Sequence, residues 1–143
     1  MSAVTAVPFL DLSTAFKALE AEWLETIRAS GAKGSFILGP QTVEFEKEFA
    51  NYVGVKHAIG VANGTDSLVL SLRALGIGPG DEVITTPWTF FASAESISIV
   101  GATPVFVDIR PDTYCLDPDS IVKRLTPKTR AIMPVHIFGH AAD

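Results

Sequence analysis

The chain has 143 residues, enough for about one domain. Hydrophobic residues make up 48% and charged residues 19%, a globular balance that excludes a disordered chain. The net charge is −5 and the basic residues are scattered, so neither nucleic acid nor an anionic membrane is the expected partner.

Cys115 stands alone and cannot form an internal disulfide. No histidine arrangement marks it as a nucleophile, so a structural or surface role is expected. The chain does not open on a basic stretch followed by an apolar run. No stretch approaches the roughly 20 apolar residues of a membrane span. A soluble, cytoplasmic protein is expected.

Periodicity predicts a first helix over about Ser13 to Ser30, with Phe16, Leu19, Trp23 and Ile27 on one face. Gly31 and Gly34 should end it. A loop follows to Gly39, and Pro40 suits the first turn of a second helix bearing Phe45, Phe49, Tyr52 and Val53. Gly54 closes that helix. His57 to Val61 reads as a short strand, and Asn63-Gly64-Thr65-Asp66 as the turn after it. The next helix carries Leu68, Leu72 and Leu75 on one stripe and stops at Gly76.

Gly78-Pro79-Gly80-Asp81 is a strong turn signal. Glu82 to Thr86 reads as a strand and Phe90 to Val100 as a small-residue helix. Pro104 to Asp108 is an apolar run, as expected of a strand buried on both faces. Asp117-Pro118 pairs a capping residue with a first-turn proline. Ala131 to His136 is the last strand. Pro134 cannot donate to a ladder, so this strand should lie at an edge or end early. Strand–helix alternation with short turns predicts an α/β fold: a mostly parallel sheet with helices on both faces, in three layers. Ligands of such sheets sit at the carboxyl ends of the strands.

Two turns fall at that end. In Asn63–Asp66 the free N–H groups of a helix start favour an anion, Gly64 permits close approach, and Thr65 adds a hydroxyl. The same residues also make an ordinary helix cap. No dinucleotide or P-loop glycine pattern is present. Thr86-Pro87-Trp88-Thr89-Phe90-Phe91 places three aromatics where one could stack on a flat ring, or where all could cap the sheet as core.

Further stretches stand in order around these turns: Val7-Pro8-Phe9-Leu10-Asp11-Leu12, Gly39-Pro40 leading to Phe45–Ala50 and Tyr52–Val55, Ala74–Ile84, Thr89–Ala94, Gly101–Asp108, and Pro134–Gly139. Each is weak alone. In this order the chain resembles the DegT/DnrJ/EryC1/StrS family of sugar aminotransferases over nearly its whole length. The resemblance implies a pyridoxal 5'-phosphate (PLP) enzyme of the aspartate-aminotransferase fold, usually a homodimer. It implies amino transfer, typically from glutamate, to a nucleotide-linked keto sugar, with products used in polysaccharides and antibiotic sugars. Gly64 and Thr65 would then hold the cofactor phosphate. Phe90 would stack on the pyridine ring, with Trp88 the weaker candidate, and Asp66 would contribute backbone at the helix start.

In the family, a lysine binds the cofactor covalently and moves a proton, the ring acts as electron sink, and an aspartate keeps the ring nitrogen protonated. Both residues lie beyond Asp143. None of Lys17, Lys33, Lys47, Lys56, Lys123 and Lys128 sits in the family's serine-to-lysine context, so no catalytic residue is assigned. The resemblance therefore implies a truncated sequence or one part of a split protein, inactive in transamination alone. Its segments are 1–34, an N-terminal helical lead-in, and 35–143, the N-terminal part of the PLP-binding large domain.

His136 and His140 are four apart, but Gly139 intervenes and no third ligand is evident, so no metal is expected. Asp108, Asp112 and Asp117 do not have calcium-loop spacing. Two alternatives remain open. One is a sugar dehydratase or regulatory member of the same family. The other is a non-enzymatic α/β module that binds a phosphorylated metabolite.

Overall fold

A computed structural model describes residues 7–143. Residues 1–6, part of the expected 1–34 segment, lie outside the described residues. The chain divides into two compact units, Met1–Gly60 and Val61–Asp143.

The first unit holds α1 (Ser13–Lys33) and α2 (Pro40–Val53). Both end on glycine in the left-handed conformation, Gly34 at φ +64° and Gly54 at φ +75°. Each glycine N–H bonds back three residues, and the next N–H bonds back five, which satisfies the last carbonyls of the helix. Pro40 opens α2 as expected. Asp11 accepts bonds from the hydroxyl and backbone N–H of Ser13 and from the Thr14 hydroxyl. Those bonds hold its carboxyl below the usual carboxylate range. The apolar stripes stay on the surface: Phe16 meets Trp23 edge-on at 5.8 Å, and Phe45 lies 5.7 Å from Phe49, yet none of the four is buried. Two helices without a sheet supply no second layer to cover them.

The stretch expected as a strand, His57 to Val61, forms no ladder. A parallel strand takes its hydrogen bonds from a distant segment, and none pairs with it among the described residues. Instead Glu46 Oε1 accepts the Gly60 N–H at 2.7 Å.

The second unit is built on β1 (Glu82–Thr85), β2 (Thr103–Phe106) and β3 (Thr129–Ile132), in the order β2-β1-β3 and all parallel. α3 (Gly64–Ala74), α4 (Ala92–Ile99) and α5 (Pro118–Arg124) flank it. Successive residues of β1 face opposite sides. Val83 packs with Leu72, Ile77, Ile97 and Ala102, the layer of α3 and α4. Ile84 packs with Val107, Leu116 and Ile121, the layer of α5. The three layers and the parallel sheet are those the alternation predicts.

Several boundaries and faces differ from expectation. α4 begins at Ala92 rather than Phe90. The buried face of α3 runs through Val69 and Leu72, while Leu75 is 67% exposed because Gly76 (φ +70°) turns the chain and buries Ile77 instead. β2 is half-exposed, since β1 alone pairs with it and it lies at an edge. β3 also lies at an edge and stops at Ile132, before Pro134.

Candidate functional site

α3 passes the chain to β1 through the tight Gly78–Asp81 turn, closed by the Asp81 N–H on the Gly78 carbonyl at 3.1 Å with Gly80 at φ +92°. The helix therefore runs antiparallel to the strand, and its first residues lie at the strand's carboxyl end. α4 starts from that same end, after the Thr86–Phe91 turn, and packs against α3. The phosphate-type turn and the aromatic turn thus share one edge of the sheet, where parallel sheets bind ligands.

Asn63 is the cap of α3. Its Oδ1 accepts the Asp66 N–H at 2.9 Å, and its Nδ2 donates to Asp66 Oδ2 at 3.0 Å. The third N–H of the helix is thereby satisfied. Gly64 and Thr65 occupy the first two positions, where no carbonyl lies behind the N–H groups. A Cβ placed on Gly64 would meet nothing within 4 Å among the described residues, so the Gly64 backbone is open to approach on that side. Thr65 and Asp66 are half-buried.

The aromatic turn is anchored from both sides. Thr85 and Thr86 are buried. Thr85 Oγ1 donates to the Met133 carbonyl at 3.0 Å, and Thr86 Oγ1 accepts the Trp88 N–H at 3.1 Å. Thr89 and Ser93 join hydroxyls at 2.7 Å. Between these anchors Phe90 is 78% exposed. Trp88 instead lies on Tyr114, with centroids 6.3 Å apart and 24° between planes. Tyr114 meets Phe138 edge-on at 5.9 Å.

Tyr114 belongs to a small hairpin after β2, closed by an Ile109–Leu116 bridge and an Arg110–Asp112 ion pair at 3.2 Å. The Arg110 guanidinium, by its hydrogen bond, holds the Asp112 carboxyl below its usual range. Asp117 caps α5, and the Ser120 hydroxyl chiefly keeps its carboxyl low as well. Cys115 is buried, with Sγ 3.6 Å from the Thr113 and His140 carbonyl oxygens. His136 Nδ1 accepts the Ala142 N–H at 2.9 Å. Among the described residues no group of three metal-ligating side chains converges, and no helix is long and apolar enough to cross a membrane.

Gly64, Thr65, Asp66 and Phe90 therefore come to one end of the sheet. Two residues without an assigned role in the sequence reading join them. Asn63 had a signal, a capping residue with an acid three positions on. Tyr114 had none, because its partner is 26 residues away.

The sequence matches the DegT/DnrJ/EryC1/StrS aminotransferase family over residues 17–143. The chain belongs to this family. It is 50% identical over 137 residues to the dTDP-3-amino-3,4,6-trideoxy-alpha-D-glucose transaminase of Streptomyces venezuelae, covering 96% of this chain and 36% of that protein. The fold is similar to that of DesV from S. venezuelae, with TM-score 0.94 and 48% identity over 98% of this chain and 38% of the other. It is also similar to ntda from Bacillus subtilis with bound cofactor PMP, with TM-score 0.93 and 37% identity over 99% of this chain and 33% of the other. The family member described here thus spans about a third of the length of these relatives.

Proposed function

We propose that the intact protein is a PLP-dependent aminotransferase acting on nucleotide-linked keto sugars, in polysaccharide or amino-sugar biosynthesis. The observation that carries this reading is the open pair of N–H donors at Gly64 and Thr65, set at the carboxyl end of a parallel sheet in a chain of this family. The donor set suits the cofactor: two backbone N–H groups and a threonine hydroxyl for a phosphate dianion, and an exposed phenyl ring for a flat heteroaromatic. In this reading residues 1–34 are a helical lead-in and 35–143 the N-terminal part of the PLP-binding large domain.

When bound, PLP supplies an electron sink for the bond-breaking step. The residues of this chain hold and orient it. Gly64 and Thr65 take the phosphate by their N–H groups, the Thr65 hydroxyl adds a third donor, and the positive end of α3 favours the charge. Asp66 serves through the backbone at the helix start: its N–H is held by Asn63 Oδ1, and its carboxylate accepts from the same side chain, which fixes the first turn of α3. Phe90 covers one face of the ring and keeps water from it. The amino donor is glutamate, the assembly is a homodimer, and the compartment is the cytoplasm.

The test is incubation of the intact protein with PLP, glutamate and a UDP- or dTDP-linked 3-keto sugar. Formation of 2-oxoglutarate and the amino sugar in equal amounts is expected. Absence of both across a panel of keto sugars, with PLP bound, would remove the aminotransferase reading.

A further inference from the structure

We propose that Tyr114 is a positioning residue for the Phe90 turn, acting through Trp88. The inference rests on the reading of Phe90 as the residue that stacks on the cofactor ring.

The backbone supplies the first observation. Tyr114 has φ +58°, in the left-handed region where a bulky side chain crowds its own backbone and glycine or asparagine is at ease. The hairpin does not need tyrosine there. The Tyr114 N–H bonds to the Arg110 carbonyl at 2.8 Å, a bond that any non-proline residue would make. The residue is 45% exposed, so core burial does not account for it either. Strain that persists without a folding reason points to function.

The ring contacts supply the second observation. Tyr114 lies against Trp88 and meets Phe138 edge-on, so it ties together the segments that follow β1, β2 and β3. Trp88 has one further tether, its N–H on the buried Thr86 hydroxyl. Phe90 comes two residues later and makes no aromatic contact among the described residues. Its direction is therefore set by the anchors of the turn: the Trp88–Tyr114 stack before it and the Thr89–Ser93 hydroxyl pair beside it. Loosening the stack frees the turn at the end nearer the sheet. Phe90 then spends less time in the orientation that meets a ring, and binding weakens without loss of any direct contact.

Replacing Trp23 and any tryptophan outside these 143 residues by phenylalanine makes Trp88 the single emitter. In that background of the intact protein, Tyr114→Asn relieves the left-handed strain and deletes the ring, while Tyr114→Phe keeps the ring. Three quantities are measured: melting temperature without PLP, acrylamide quenching of Trp88, and the PLP dissociation constant. Tyr114→Asn is expected to melt no lower than its parent, to expose Trp88 to quencher, and to bind PLP about threefold to tenfold more weakly, the scale of one aromatic pair. Tyr114→Phe is expected to match its parent in all three. Phe90→Ala separates the role of Phe90 from that of Tyr114. If Phe90→Ala weakens PLP and Tyr114→Asn does not, Tyr114 has no positioning role. If Phe90→Ala binds PLP unchanged, the reading of Phe90 falls and this inference with it. A lower melting temperature for Tyr114→Asn, or weakened binding by Tyr114→Phe, would also overturn the proposal.

Discussion

The side chain of Asn63 holds Asp66 at two points, accepting its N–H at 2.9 Å and donating to its carboxylate at 3.0 Å. One residue thus closes the start of α3 and leaves Gly64 and Thr65 as donors with no partner among the described residues. Capping and anion binding draw on the same set of N–H groups, and Asn63 divides them.

Replacing Asn63 by alanine should cost about 1 kcal/mol of stability, the usual value of a lost cap. Asn63→Ser should recover most of it, because a hydroxyl can accept the Asp66 N–H. Urea unfolding of the three proteins measures this. Equal midpoints would mean that the cap contributes nothing.

Gly64→Ala should separate folding from binding. Its Cβ would meet no protein atom within 4 Å, so stability should hold or rise by at most about 1 kcal/mol, the helix preference of alanine over glycine. The same methyl group would stand where a phosphate approaches the backbone. Titration with PLP should therefore show weaker binding, and unchanged affinity would place the phosphate elsewhere.

Gly101→Ala should damage the fold. Gly101 has φ +84°, and a Cβ there would lie 2.9 Å from Pro79 Cγ. The left-handed backbone alone costs about 1–2 kcal/mol, and the clash adds to it. A lowered melting temperature is expected, and an unchanged one would show that the Gly101 and Pro79 turns can move apart freely.

Acid should loosen the start of α5. Hydrogen bonds, first that of the Ser120 hydroxyl, keep the Asp117 carboxyl below its ordinary value. A depressed folded value means that the cap is complete above about pH 4, the unfolded aspartate value, and is lost as pH falls through the lower folded one. Carboxyl NMR titration of Asp117 should give a midpoint below that of a free aspartate. Asp117→Asn should flatten this part of the acid unfolding curve.

The helix ends were the most legible part of the fold. Gly34, Gly54 and Gly76, expected as stops, each follow a helix at positive φ, and the N–H groups there satisfy its last carbonyls, whereas Gly31, also expected to end α1, lies inside it. Pro40 and Asp117-Pro118 mark two helix starts. Pro134 limits β3 because it lacks the N–H a ladder needs. Of the candidate site, residue type and position marked the Asn63–Asp66 turn and the Trp88–Phe91 aromatics, and the family resemblance singled out Gly64, Thr65 and Phe90 among them. Asp66 was expected at the helix start, but its tie to the Asn63 side chain was not legible, because it depends on where that side chain points.

Sequence alone determined most helix caps and stops, that strands and helices alternate, and that an anion-suited turn precedes α3. These follow from φ/ψ preference and from hydrogen bonds between residues a few positions apart. Tertiary structure decided that His57–Val61 makes no ladder, that β2 stays half-exposed at an edge, and that Ile77 rather than Leu75 is buried. It also decided that Tyr114 crosses to Trp88. Apart from the Gly76 turn that buries Ile77, each of these depends on a partner far along the chain, and a parallel strand or a stacked ring has no structure of its own until that partner arrives.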